Sequence, residues 1–132
     1  MQLQLFEEQA NQAPPIRRYK PRLTMTHWVV IEDDSRDSSG AVWGLGDDMA
    51  GAVADAVKWM VEFQDNKNKL AAGHRIDTVN DLRGALQDGY YRLCRCTAQL
   101  AKDVHTYGGE VDFVVMSEGA CTPDEFYGPC PK

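Results

Sequence analysis

Residues 27–64 constrain the fold more than any other part of the chain. They begin with an apolar run from Trp28 to Ile31, which predicts a strand that is covered on both faces. A polar loop then leads to a second short strand at residues 41–44, and an antiparallel hairpin is the simplest way to join the two. One long helix, starting near Asp47, is predicted to follow.

The predicted helix is amphipathic, because its apolar residues are spaced three and four apart and therefore form one stripe. The stripe consists of Met49, Val53, Ala56, Met60 and Phe63. Ala52 and Trp59 flank it, whereas the opposite side carries Asp55, Lys58 and Glu62. The stripe predicts that this helix packs on the strands before it and supplies much of the core.

Later residues predict two more helices and two more strands. The predicted elements are a helix at 79–87 capped by Asp77 or Thr78, a strand at 90–96, a helix at 98–107 capped by Thr97 and ended by Gly108 and Gly109, and a strand at 110–116. If the last two strands are parallel neighbours, the helix between them is a right-handed crossover.

The chain of 132 residues is long enough for one domain with a proper core. We predict a single α+β domain at residues 23–120, with a mixed sheet of about four strands and two to three helices mainly on one face. Residues 1–22 are predicted to be a flexible tail, because prolines interrupt them. Residues 121–132 contain three more prolines and are predicted to be irregular.

The net charge of −6 is unevenly distributed. In residues 1–22, four basic side chains against two acidic ones give +2, so the rest of the chain carries −8. An acidic body disfavours direct binding to duplex DNA and favours a basic protein surface. The basic cluster at residues 16–22 is interpreted either as a tether into the first strand or as a short arm that touches nucleic acid. The acidic surface is predicted to involve Asp33, Asp34, Asp37, Asp47 and Asp48.

No metal or cofactor site is predicted. The aspartates after the first strand lack the glycine and glutamate of a calcium loop. Gly44 and Gly46 precede a helix, but Asp47 and Asp48 at its start would repel a pyrophosphate, so a tight turn with an aspartate N-cap is predicted there instead. The four cysteines, Cys94, Cys96, Cys121 and Cys130, lack the two close pairs of a structural zinc site.

The chain is predicted to be cytoplasmic and without a membrane span. It contains no apolar run of roughly 20 residues, and its first residues lack the basic start and apolar run of a secretion signal. Thiols are then predicted to stay reduced, and a disulfide between Cys121 and Cys130 would need an oxidising setting. A cysteine-dependent enzyme using Cys94 or Cys96 with His105 is one alternative function, although nothing in the sequence fixes their geometry.

The first residues, Gln2-Leu3-Gln4-Leu5-Phe6, resemble the peptide by which many bacterial replication and repair proteins dock on the DNA sliding clamp. The family pattern is Gln-Leu-Ser/Asp-Leu-Phe, and Gln4 is the one departure. The resemblance implies that Leu5 and Phe6 fill an apolar pocket of the clamp while Gln2 hydrogen-bonds at its edge, with Leu3 part of the same contact. The alternative is that these apolar residues pack on the chain's own domain.

The hairpin and helix at residues 29–60 are also similar in pattern to HicB-type antitoxins, although no DNA-binding segment of that family follows. Together these features predict a non-enzymatic protein-interaction module without a small-molecule substrate, of the kind found among phage or plasmid accessory proteins. The main alternative is an acidic inhibitor of a nucleic-acid-handling defence enzyme, of the anti-CRISPR or anti-restriction type.

Overall fold

The predicted hairpin forms the start of a five-stranded mixed sheet. The structure is a computed structural model, and it describes residues 23–34 and 39–128. In chain order the elements are β1 (Met25–Asp34), β2 (Ser39–Gly46), α1 (Met49–Asp65), α2 (Val79–Gln87), β3 (Arg92–Thr97), α3 (Ala98–Tyr107), β4 (Val114–Val115), β5 (Ala120–Cys121) and α4 (Pro123–Tyr127). This is a single α+β domain, as predicted, although the described residues form five strands and four helices.

Strand β1 lies inside the sheet, whose order is β2-β1-β3-β5-β4. It pairs antiparallel with both β2 and β3, whereas β3 and β5 are parallel and β5 and β4 are antiparallel. The two later strands of the prediction, at 90–96 and 110–116, are therefore not neighbours, because β5 lies between β3 and β4. Regular pairing also reduces the predicted strand at 110–116 to the two residues of β4.

Each face of the sheet carries its own core. Val30 points to the face that α1 and α2 cover, and it is fully buried there with Met60 and Leu82. Val29 and Ile31 point to the other face, where α3 contributes Leu100. Successive side chains of a strand alternate between faces, so the continuous apolar run in β1 serves both cores, as the sequence indicated.

A bulge in β2 redirects the side chain of Trp43. Val30 pairs with Gly44 and Ile31 pairs with Val42, so Trp43 is the extra residue in the ladder. Val42 consequently joins the core under α3, while Trp43 packs on the α1 side. The Trp43 ring meets Phe63 edge-on at 5.1 Å between centroids.

The glycines before α1 allow the end of β2 to pack closely against that helix. Gly44 and Gly46 are the last part of β2 and not a separate tight turn, and a β-carbon at Gly44 would overlap the backbone of Ala52 and Ala56. Helix α1 then begins after Asp48, whose carboxylate accepts a hydrogen bond from the Gly51 amide at 2.7 Å. The predicted aspartate cap is thus confirmed.

The predicted stripe of α1 is buried only in its middle. Val53, Ala56 and Met60 are buried, but Met49 in the first turn is 51% exposed and Phe63 is half-buried. Ala52, predicted to lie beside the stripe, is fully buried, because β2 approaches this helix so closely.

The two following helices have the predicted bounds. Thr78 and Asp81 form a reciprocal capping box at the start of α2. Thr97 caps α3, and Gly108 ends it with a φ of 89°. These local signals are strong enough to fix both helices.

Residues 121–127, predicted to be irregular, form the end of a strand and a short helix. Cys121 completes β5 and is fully buried. Helix α4 follows, because Thr122 and Glu125 form a capping box and Pro123 fits the first helical position. Within the described residues, no helix combines the length and the apolar character needed to cross a membrane.

Candidate functional site

The predicted docking peptide lies outside the described residues. Its residues Gln2, Leu3, Leu5 and Phe6 all fall in residues 1–22.

The described members of the predicted acidic set lie at opposite ends of the hairpin. Asp33 and Asp34 belong to the hairpin end of β1, where Asp34 pairs with Ser39, and Asp37 lies outside the described residues. Asp47 and Asp48 follow the other end of β2, where Gly46 pairs with Trp28. The two ends are six residue steps apart along β1, from Trp28 to Asp34, which is about 20 Å.

Asp47 and Asp48 have different surroundings. The Asp48 carboxylate caps α1 and so has a structural role. The Asp47 side chain is 97% exposed, and its carboxylate oxygen lies 3.6 Å from Nε2 of His27. Of the two, only Asp47 presents a carboxylate that is not held by the helix.

The surroundings of the β3 cysteines do not activate a thiol. Cys94 and Cys96 pack in the same core. Burial raises the pKa of the Cys94 thiol, and it raises the pKa of Cys96 to about 12, with the neighbouring Cys94 and Glu125 adding to the effect. Nucleophilic cysteines need a lowered pKa. His105 is exposed near the end of α3, and among the described residues no hydrogen bond or ion pair joins it to either cysteine.

The structure provides little for a metal ion. In the described part of the chain, no three or more histidine, cysteine or acidic side chains are grouped so that they could hold one. Cys121 lies in the core, where its sulfur is 3.5 Å from Sδ of Met116. Cys130 falls outside the described residues.

A groove of about 730 Å³ lies beside the edge strand β2. Its walls are residues 55–63 of α1, residues 66 and 68–71 after that helix, and residues 108–110 after α3. We call it the β2 groove. It is lined by Glu32, Ala41, Val42, Trp43, Gly44, Asp55, Trp59, Glu62, Phe63, Asn66, Asn68, Lys69, Leu70, Ala71, Val104, Gly108, Gly109 and Glu110.

Two backbone amides of β2 already have partners from the walls of this groove. The Val42 amide donates to the carbonyl oxygen of Gly109 at 2.8 Å. The Leu45 amide donates to a carboxylate oxygen of Asp55 at 3.0 Å. These bonds occupy two donors of the edge strand, so another strand cannot pair with β2 through these two amides.

The β2 groove combines aromatic rings with negative charge. Four carboxylates line it, from Glu32, Asp55, Glu62 and Glu110, against the single ammonium group of Lys69. Trp59 is 47% exposed, and the Nζ atom of Lys58 lies 5.5 Å from the centre of its ring. Ring faces and carboxylates both attract cations, so this surface suits a positively charged group.

Two of the four carboxylates are held in place. Glu32 accepts a hydrogen bond from Nε1 of Trp43 at 3.0 Å. Asp55 is held by the Leu45 amide. Each carboxylate has further acceptor positions, so a ligand can still bind to both. Glu62 and Glu110 are exposed at the rim.

Sequence reasoning did not predict the β2 groove. Its residues come from four separate segments, which only the fold brings together. Asp55 and Glu62 had the pattern of a solvated helix face, and Glu110 was placed in a strand. The one local signal was Trp59, a large aromatic residue beside the buried stripe of α1.

Comparison of the chain with protein-family models, with curated proteins and with solved structures finds no match. The resemblances to the clamp-docking peptide and to HicB-type antitoxins therefore rest on the residues themselves and stay predictions.

Proposed function

We propose that this chain is a non-enzymatic protein-interaction module that docks on a host protein through residues 2–6, and that the host protein is the DNA sliding clamp. The observation that carries the proposal is the peptide Gln2-Leu3-Gln4-Leu5-Phe6, which matches four of the five positions of the clamp-docking pattern.

The energetics suit a reversible attachment. Burying the side chains of Leu5 and Phe6 contributes on the order of 1.5–3 kcal/mol each. The cost of ordering the peptide and of association reduces this gain. The expected result is a contact of micromolar class, which a clamp with several equivalent sites can form and release.

The described domain supports a binding role more than a catalytic one. Its two β3 thiols have raised pKa values, and they pack in a core instead of lining a cleft. The cysteine-dependent enzyme is therefore the weakest of the alternatives.

Titration calorimetry of the full chain with a purified bacterial clamp tests this proposal. The double variant Leu5→Ala/Phe6→Ala should lose binding and keep its thermal midpoint. Gln4→Ala is the matched control, because position 4 is the least selective in the pattern, and it should bind like the original chain. No heat at tens of micromolar with the original chain would reject the clamp. A double variant that unfolds early would place Leu5 and Phe6 in the domain's own core.

A second candidate function is the acidic inhibitor of a nucleic-acid-handling defence enzyme. It is favoured by the exposed Asp47 carboxylate and by the excess of carboxylates in the β2 groove. Two variants show which end of the hairpin would face such an enzyme. One replaces Asp33, Asp34 and Asp37 together with asparagine, the other replaces Asp47 alone, and inhibition of the enzyme is measured for both. Inhibition that survives both changes and also survives added salt would reject this candidate.

A further inference from the structure

We propose that the β2 groove binds an arginine-bearing segment of a partner protein. This site is separate from residues 2–6, and it does not depend on the clamp-docking proposal. The charge of the groove, its aromatic lining and the two occupied amides of its edge strand all favour this ligand.

Charge complementarity selects a cationic ligand. The groove lining presents four carboxylates and the ammonium group of Lys69. Even when Lys58 beside Trp59 is counted, the carboxylates outnumber the ammonium groups four to two. The carboxylates of Glu32 and Asp55 are fixed by hydrogen bonds, which reduces the entropy lost when a ligand binds them. Glu62 and Glu110 at the rim add attraction for an approaching basic chain.

The aromatic lining favours arginine over lysine. A guanidinium group is planar, stacks on aromatic rings and bonds carboxylates through two parallel N–H groups, whereas an ammonium group is a strongly hydrated point charge. Trp59 has almost half of its surface exposed, and Nζ of Lys58 lies 5.5 Å from the centre of its ring. A bound guanidinium would share the ring with this ammonium group or displace it. Trp43 and Phe63 form the apolar base beside it.

The covered edge determines how the ligand is recognised. Since the amides of Val42 and Leu45 have partners, a bound segment cannot extend the sheet at these positions. Recognition must come from side chains that enter the groove. Binding should therefore depend on the arginine side chains of the partner and little on its backbone.

Fluorescence anisotropy with a labelled peptide of alternating arginine and serine residues tests the proposal on the full chain. A lysine peptide and a citrulline peptide, the latter with the shape of arginine but no charge, are the matched probes. The arginine peptide should bind best, the lysine peptide more weakly, and the citrulline peptide not measurably. Equal binding of the citrulline peptide would overturn the proposal.

Two variants locate the site. Trp59→Ala should weaken binding by about tenfold, because a partly desolvated cation–ring contact is lost. Tyr90→Ala is the control, since Tyr90 is 45% exposed and does not line the groove.

A double variant tests the charge of the rim. Glu62→Gln/Glu110→Gln should weaken binding mainly at low salt. Its control, Asp88→Asn/Glu118→Gln, removes the same charge elsewhere and should have less effect. Unchanged affinity in Trp59→Ala and in the groove double variant would overturn the proposal.

The basic cluster at residues 16–22 is a rival occupant. A full-length variant with Arg17→Gln, Arg18→Gln and Lys20→Gln should bind the arginine peptide as the original chain does. A large gain in affinity would mean that the chain's own segment competes for the groove, and this would overturn the assignment to a partner protein. All of these outcomes are independent of clamp binding, so the two proposals fail or stand separately.

Discussion

The amide nitrogen of Val42 and the carbonyl oxygen of Gly109 lie 2.8 Å apart and form a hydrogen bond that attaches the loop after α3 to the edge of the sheet. A β-carbon at Gly109 would overlap the Val42 carbonyl group. The loop can therefore approach β2 this closely only because residue 109 is glycine, and the same contact forms one wall of the β2 groove.

Replacing Gly109 with alanine should destabilise the domain. The added methyl group has no room beside Val42, and overpacking of this kind typically costs about 1–3 kcal/mol. Gly84→Ala is the matched control, because nothing lies within 4 Å of its β-carbon position and alanine favours the interior of α2. Urea unfolding of both variants measures the difference. A Gly109→Ala domain as stable as the original would show that the loop moves away at little cost.

Capping and stop signals made much of the fold predictable. Thr78 and Thr97, with Gly108 at the end of α3, gave the bounds of two helices to the residue. The apolar run of β1 predicted a strand that is covered on both faces, because successive residues of a strand point to opposite faces. Helix caps, stop signals and apolar runs depend on residues that are close together in the sequence, so they can be recognised without knowledge of the fold.

Features that depend on distant contacts were missed. The sequence placed Gly44 and Gly46 at a turn, but their close packing on α1 depends on the position of that helix. Strand β5 is only two residues long, and it pairs with β3 at Cys96 and Ala120, which are 24 residues apart in the sequence. Such a short strand is stabilised by a distant partner and has no local pattern of its own. The β2 groove depends on the same long-range packing, so its four carboxylates had no common signature.

Tyr91→Phe should leave the free energy of unfolding unchanged or raise it by about 1 kcal/mol. The Tyr91 hydroxyl is buried and makes no hydrogen bond of ordinary geometry with the described residues. Burial raises its pKa, an effect that the backbone of Ala72 only partly offsets. Removing a desolvated hydroxyl while keeping the ring should therefore cost nothing. Tyr90→Phe at the exposed neighbouring position is the control. A clear loss of stability in Tyr91→Phe would mean that the backbone amide of Ala72 or Ala71 holds the hydroxyl.

The domain should lose stability at high pH through Cys96. Its thiol pKa rises from an ordinary value of 9.0 to about 12 on folding, chiefly because of burial. The unfolded chain then releases this proton from about pH 9 while the folded chain keeps it, so stability falls as pH increases between the two values. The slope for one proton is at most about 1.4 kcal/mol per pH unit. Cys96→Ala lacks the thiol, so its stability should fall less steeply over this range. Parallel pH profiles of the two proteins would contradict the assignment.

Substitutions of the two aspartates before α1 should have different effects on stability, because Asp48 caps the helix whereas Asp47 is exposed. Asp48→Ala removes the carboxylate that accepts a hydrogen bond from the Gly51 amide. Loss of such a helix cap lowers the free energy of unfolding by about 0.5–2 kcal/mol. Asp47→Ala removes an exposed carboxylate from outside the helix, and we expect a change within about 0.5 kcal/mol. Thermal unfolding measures both, and Asp48→Ser should recover most of the cap because serine accepts the same bond.

The same pair then bears on the acidic-inhibitor candidate. A basic partner that uses this end of the hairpin should be weakened by Asp47→Asn, which leaves the helix cap intact. Asp48→Ser should have a smaller effect on that partner, because the Asp48 carboxylate is already engaged by the helix. Equal losses from the two variants, with stability unchanged in both, would mean that Asp48 contacts the partner and that the cap contributes little to the fold.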